Sequence, residues 1–386
     1  MRILFVTHTG TWSGAESVLM NLIENLRSEH DVVIACPRRG AVAERMDRAG
    51  VPRFSIPAAE TSFRLDPIAT PLSLVSFAGA ALALTAVVRR VRPDVIHAAT
   101  VRAGLIAAPA ARLGGPPVVV HVHDLLPTSR LGLLIRWIIA RSAREVIAVS
   151  KHTAEDFNHG LRRPLAVPIY NGIDHARFDP DRVAPSPVRL ELGIAPDALL
   201  LGSMAQITPW KGQDTAIRAL AQLCADGRDV HLLIVGRVMF TGRSVAFDNP
   251  AFLRELHRLT AELGLNDRVH FLGFRDDAPG LLAALDLLLL PSWDEPFALV
   301  VLEGLAMGTP VVISDIGGAP EVIGPARVGR CVPPRRPDLW ARAIAELDDD
   351  PNLLHEMRTR APAVAARFRD DVQAQEIAAV YARSAG

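Results

Sequence analysis

Short β-branched runs alternate with helical stretches twice along this chain, and a proline-rich break separates the two rounds. The first round places strands near residues 3–7, 32–36, 94–97, 118–123 and 145–150, with amphipathic or alanine-rich segments between them. Strands joined through helices pair in parallel, and a parallel sheet must have both faces covered, so the alternation predicts a helix–sheet–helix α/β domain. A second round follows near residues 199–205, 230–236, 269–272, 285–290 and 311–314. Between the rounds, residues 178–187 carry three prolines and no apolar periodicity, and read as a linker. A chain of 386 residues with 49% hydrophobic content suits two cores better than one. The expected organisation is an N-terminal domain over 1–177, a linker over 178–190, a C-terminal domain over 191–365, and a helix over 366–386. That last helix has too little apolar surface to stand alone and is expected to pack back on the N-terminal domain.

Lys plus Arg and Asp plus Glu number 42 each, so no global field draws the chain to nucleic acid or an anionic membrane, and specificity must come from a local site. Cys36, Cys224 and Cys331 are isolated and lack metal-ligand spacing, which argues for a reducing compartment and against a bound metal. Met1 leads directly into a strand with no small-residue cleavage site, so a cytoplasmic protein is expected. Residues 68–88 carry no charge and are followed by Arg89, Arg90 and Arg92. By length this segment could span a bilayer. Pro71, Gly79 and many alanines lower its hydrophobicity, and it runs within a few residues into the strand at 94–97. A buried crossover helix is the first expectation and a peripheral membrane contact the second.

Glu295 and Glu303 stand in a segment that is otherwise apolar. Pro296 suits a first helical turn and Gly308 a helix end, so the segment is expected to form one helix with Glu295 at its mouth. Eight steps at 1.5 Å would separate the carboxylates by roughly 12 Å. Paired carboxylates acting on one glycosidic bond lie about 5–10 Å apart, so these two do not share a bond. They suit a ligand with a polar group at each end and a phosphate at the helix start.

Only two of the 42 basic residues are lysines, Lys151 and Lys211. Lys211 lies between Pro209 and Gly212 where a helix begins, and a cation there opposes the helix dipole unless an anion intervenes. In the first domain the turn through Gly14, Ala15 and Glu16 lets a ligand approach the backbone, but it is not a dinucleotide fingerprint. His121 and His123 alternate along one strand and share a face. His121 reads as structural. His123, at the carboxyl end, stands where α/β sheets take ligands.

Together these residues resemble the group 1 family of retaining glycosyltransferases, glycosyltransferase family 4. Its GT-B architecture sets two Rossmann-like domains facing across a cleft. The resemblance runs through the turn at Gly14, the segment Arg92 to His97, His123 with Asp124, Val149 with Ser150, Asn171 to Asp174, Lys211 with Gly212, Glu295 with Glu303, and Gly317 to Glu321. It implies a nucleotide-diphosphate-sugar donor held as co-substrate, no cofactor and no metal. Glu303 would bind the ribose, Glu295 would lie beside the sugar, and Lys211 would neutralise the diphosphate with the amides of Phe297, Ala298 and Leu299. Gly14 and His123 would contribute from the first domain. Electrostatic stabilisation of the departing phosphate would be the main catalytic effect.

Two residues depart from the pattern. Gln206 stands where most members carry an arginine to the diphosphate, and Ala298 where they carry glycine. Arg237 or Arg243 is expected to supply the missing cation. The rival readings are an isomerase of the same architecture and a sugar-nucleotide binding protein weakened at Gln206. The apolar neighbourhood of residues 68–88 and 131–140 favours a lipid-linked or amphipathic acceptor and a place at the inner membrane face.

Overall fold

A computed structural model describes residues 1–59, 69–241 and 245–386, with side chains from 74 onward in the helix that begins at Ala69. The chain divides into two compact units, Met1–Gly172 with Asp370–Gly386, and Ile173–Arg369.

In the first unit the strands are β1 (Arg2–Val6), β2 (Asp31–Pro37), β3 (Arg53–Ile56), β4 (Val95–Ala98), β5 (Val118–Val122), β6 (Glu145–Ala148) and β7 (Ala166–Pro168). The helices are α1 (Gly14–Leu26), α2 (Ala41–Arg48), α3 (Ala69–Val91), α4 (Val101–Arg112), α5 (Arg130–Ser142) and α6 (Lys151–Asn158). All pairings are parallel, in the order β3-β2-β1-β4-β5-β6-β7. Strand residues with alternate orientation feed two cores. Leu4, Val6, Ile96 and Val120 pack with α3, α4 and α5, whereas Ile3, Phe5, Val95 and Val119 pack with α1.

The second unit contains α7 (Val188–Leu192), β8 (Leu199–Met204), α8 (Gln213–Ala225), β9 (Val230–Val235), α9 (Asn249–Glu262), β10 (Val269–Gly273), α10 (Ala278–Ala284) and β11 (Leu287–Leu290). It continues with α11 (Leu299–Ala306), β12 (Val311–Ser314), α12 (Ala319–Ile323), β13 (Gly329–Val332), α13 (Pro337–Asp348) and α14 (Pro351–Ala365). Its sheet is parallel in the order β10-β9-β8-β11-β12-β13. The four leucines of β11 are wholly buried because both faces of a central parallel strand are covered.

The proline-rich stretch at 178–187 falls inside the second unit. Ser186 donates its backbone N–H to Gly280 and its hydroxyl to Asp277, which ties the stretch to the start of α10. The final helix, α15 (Asp370–Ala385), belongs to the first unit. It places Ile377, Val380 and Tyr381 in the core beside β1 and α1, and Gln373 reaches Asn171 and the Gly172 amide, each at 3.0 Å.

Three strands absent from the sequence reading, β3, β7 and β13, are all sheet edges. Each is short and only partly covered, so its composition lacks the apolar run that marks an interior strand. The helix expected at 68–88 is α3. Ala80, Leu84, Val87 and Val88 enter the core, yet Leu74, Val75 and Leu82 are exposed, so it is a surface helix and not the buried crossover expected first.

Candidate functional site

In each sheet the strand order reverses beside its first strand, between β1 and β4 and between β8 and β11. Loops leave in opposite directions at such a point and open a crevice at the carboxyl ends of the strands. In the second unit the two loops concerned are 205–212, after β8, and 291–298, after β11.

These loops are locked together. The Trp293 backbone N–H donates to the Trp210 carbonyl at 2.9 Å, and the Trp293 indole N–H donates to the Pro209 carbonyl. Gly212 has φ +69°, and a Cβ there would lie 2.1 Å from the Pro291 carbonyl oxygen, so only glycine fits both the turn and the approach. Across this junction Lys211 Nζ meets Glu295 Oε2 at 2.7 Å. Both side chains are largely withdrawn from water, and the ammonium also lies 4.1 Å from the Trp210 ring centre.

The pairing changes two expectations. Lys211 ends a short 3-10 turn, Pro209–Lys211, before α8, and the anion beside it is Glu295 of its own chain. Glu295, in turn, is not at a helix mouth. The helix expected from Pro296 starts at Leu299 as α11, with Ala298 as its N-cap. Residues 295–298 stay outside the helix, and the Glu295 backbone is held elsewhere: the Gly318 amide donates to its carbonyl at 2.8 Å. Gly317, at φ +69°, also approaches that carbonyl too closely for any Cβ. A rise of 1.5 Å per residue therefore does not cover the whole interval from Glu295 to Glu303. Gly308 does follow the helix, at φ +76°.

Val301 and Leu302 are the first α11 amides to bond backward, both to the Ala298 carbonyl, at 3.0 and 3.3 Å. The amides of Ala298, Leu299 and Val300 thus have no carbonyl within the helix to bond, and Ala298 has no side-chain acceptor to cap them. Phe297 is buried against Phe368. One turn into α11, Glu303 lies in surroundings that push its carboxyl up to about 7. Burial is the cause, partly offset by the positive charge of Arg177. Among the described residues no donor reaches that carboxylate.

Gln206 offers its backbone carbonyl to the Gln213 side-chain Nε2 at 2.9 Å. Arg237 follows β9, and its carbonyl accepts from the Ile207 amide at 3.0 Å, so its backbone adjoins the Gln206 loop. Its guanidinium, however, lies 5.1 Å from the Phe274 ring centre. Arg243 lies outside the described residues. Three groups at this edge escaped the sequence reading: the buried Gln213 Oε1, Ser292 Oγ and Ser314 Oγ have no hydrogen-bond partner among the described residues. Ser292 carried a usable signal, since a hydroxyl two residues after the all-leucine β11 lies at the carboxyl-end edge of the sheet.

In the first unit, His123 continues β5, and its ring centre lies 4.2 Å from that of His121. His121 meets His97 edge-on, and His97 Nδ1 bonds the Tyr381 hydroxyl at 2.7 Å. Burial lowers all three histidines, His97 to about 3, His123 to about 4 and His121 well below its ordinary value, so they are neutral imidazoles. Gly14 opens α1 and is exposed, while Glu16 is buried, closes on Ser13 and accepts from the Thr7 hydroxyl at 3.4 Å. Burial raises the Glu16 carboxyl above its ordinary value. After His123 the chain is gripped by Arg136. This buried guanidinium donates to the carbonyls of Leu126 and Pro127 at 2.9 and 2.7 Å, to the Asp156 carbonyl at 3.1 Å and to its carboxylate at 3.0 Å. Among the described residues no group of three or more His, Cys, Asp or Glu side chains is placed to hold a metal.

Two parallel α/β units with this strand order define a Rossmann-like pair, and comparison with known proteins identifies the pair as the GT-B fold. The family Glycosyl transferases group 1 matches residues 188–364, and Glycosyltransferase Family 4 matches residues 12–177. A D-inositol 3-phosphate glycosyltransferase of Stackebrandtia nassauensis is 30% identical over 312 residues, covering 75% of this chain and 68% of that protein. One from Streptomyces bingchenggensis is 30% identical over 280 residues, covering 72% of this chain, and the match spans 56% of that relative's length. Among solved structures, Anabaena HepE in complex with UDP-glucose aligns with a TM-score of 0.85 at 29% identity, over 99% of this chain and 100% of that one. The chain belongs to the group 1 glycosyltransferases, glycosyltransferase family 4.

Proposed function

We propose that this protein transfers a sugar from a nucleotide-diphosphate-sugar donor to an acceptor hydroxyl with retention of anomeric configuration. The observation that carries the reading is the Lys211–Glu295 pair at the strand-order switch point of the second unit. A cation held by a carboxylate beside free helix amides is a place where a diphosphate can replace the internal anion. Lys211 then neutralises the leaving diphosphate with the Ala298 and Leu299 amides and, through its backbone, Phe297. Glu295, released from the lysine, turns to the donor sugar, and Glu303 accepts from the ribose hydroxyls. Gln206 leaves the diphosphate site one charge short, and Arg237 or Arg243 supplies the balance. Gly14 and His123 are carried by the first unit, and for them the family resemblance is the warrant and substitution the test. Charge compensation comes from protein groups, so the reaction needs no metal and no cofactor.

The donor class is a uridine diphosphate sugar, as in the HepE complex. The acceptor class is lipid-linked or amphipathic, met at the cytoplasmic face of a membrane. The experiment measures calorimetric binding of UDP and UDP-glucose, and release of UDP with lipid-linked sugar and inositol phosphate acceptors, with and without a chelator. Lys211→Ala is expected to weaken UDP more than uridine, and Glu295→Ala to lower turnover more than UDP affinity. Product analysis by NMR reads the anomeric configuration. UDP-glucose binding with no turnover on any acceptor supports instead the weakened binding protein.

A further inference from the structure

We propose that Arg335 is a positioning residue for sugar transfer: stacked on Trp293, it holds the junction of the 205–212 and 291–298 loops in the form that presents Lys211 to the donor diphosphate. Its role in transfer rests on a diphosphate lying at Lys211, as proposed for the donor. Its hold on Trp293 does not.

Arg335 lies in the turn between β13 and α13, at the same carboxyl edge of the parallel sheet as those two loops. Its φ is +56°, in the left-handed region where a residue with a Cβ is strained and glycine is not. The turn itself therefore gives no reason for arginine. The side chain does: its guanidinium carbon lies 3.4 Å from the Trp293 ring centre, nearer than in every other cation–ring contact among the described residues. Among the described residues this guanidinium forms no salt bridge, and the carboxylate closest in sequence, Asp338, is taken by Arg336 at 2.7 Å. Arg335 is exposed, and a ring, not an anion, fixes where its charge lies.

Trp293 joins the two loops through its bonds to the Trp210 and Pro209 carbonyls. Phe247 meets the Trp293 ring edge-on, with centres 6.0 Å apart, and Arg335 lies over its face. Both partners of the Lys211 ammonium depend on this ring. Trp210, whose ring lies 4.1 Å from Nζ, accepts from the Trp293 amide, and Glu295, 2.7 Å from Nζ, follows Trp293 by two residues. A turn of the Trp293 ring would shift both, and a charge meant for a departing phosphate tolerates little misplacement.

The test is Arg335→Gly, which removes the stack and relieves the backbone, so the melting midpoint should stay unchanged or rise. Hydrogen exchange read by NMR should quicken about tenfold at the Trp293 amide and indole N–H, and stay unchanged at the Leu232 amide in β9. In urea unfolding, the coupling between Lys211→Met and Glu295→Gln should shrink about threefold or more as an equilibrium factor. Calorimetry should show UDP bound about fivefold more weakly and uridine unchanged, with no further loss when Arg335→Gly is added to Lys211→Met and Glu295→Gln together. The proposal is overturned if Trp293 exchange or the coupling does not change, or if UDP and uridine weaken together. It is also overturned if the full loss of UDP persists without Lys211 and Glu295, since Arg335 would then act on the ligand itself. If the unaltered protein binds no UDP, the diphosphate reading fails, and exchange and coupling still decide whether Arg335 holds Trp293 and Lys211.

Discussion

Removing the charge of Lys211 should destabilise the second unit far more than removing the charge of Glu295, although the two share one ion pair. The pair is 2.7 Å long, with side-chain exposures of 13% for Lys211 and 4% for Glu295. At an effective dielectric of about 20, unit charges 4 Å apart attract by about 4 kcal/mol, and breaking a buried pair from one side typically costs about 3–5 kcal/mol. Lys211→Met leaves the almost fully buried carboxylate without a partner, so a loss of about 3–5 kcal/mol is expected. Glu295→Gln leaves a lysine that keeps the Trp210 face and some access to water, so the loss should be about 1–3 kcal/mol. In the double variant neither charge remains, and the cost should approach that of Glu295→Gln alone, a coupling of at least about 2 kcal/mol. Urea unfolding followed by tryptophan fluorescence reads this, because Trp210, Trp293 and Trp340 lie in the second unit. If the two single losses add to within about 0.5 kcal/mol, the ion pair does not exist in solution and the argument fails. Saturating UDP should shrink the coupling, because the diphosphate competes for the same ammonium.

Glu303 gives a pH signature. Its folded value of about 7 lies above its ordinary 4.5, so the folded state holds a proton that the unfolded state has released. Stability should thus fall as pH rises from 4.5 towards 7, by up to about 3 kcal/mol, and urea midpoints of Glu303→Gln should lack that slope. The histidine cluster has the opposite sign: depressed values mean the unfolded state binds the protons, so stability is present above pH 6.5 and is lost as pH falls towards 3–4. Replacing His121 with Phe should flatten that acid limb, as read from circular dichroism melts between pH 3 and 7. Arg136→Met should cost about 3–5 kcal/mol by stranding Asp156, and should raise amide hydrogen exchange at Leu126 more than at Ile147 in the neighbouring core strand. Equal increases at both amides would show that the guanidinium does not specifically hold the segment.

The alternation of strand and helix, the two rounds of it and the places of Lys211 and His123 after the carboxyl ends of strands were legible in the sequence, because each depends on local periodicity or on place relative to a strand end. Edge strands such as β13 were not, since half-covered backbone needs no apolar run. Nor was the start of α11, because Glu295 is drawn out of the helix by Gly317 and Gly318, more than twenty residues further on.

The sequence by itself determined that Lys211 and Glu295 each follow a strand of the same parallel α/β unit. Only the tertiary structure decided that they face each other. The reason is topological: a reversal of strand order sets β8 beside β11, so loops 84 residues apart share one crevice, and their opposite charges pair across it. Similarly, the sequence showed apolar neighbourhoods at residues 68–88 and 131–140, and only packing decided which of those side chains the core takes and which it leaves for a surface.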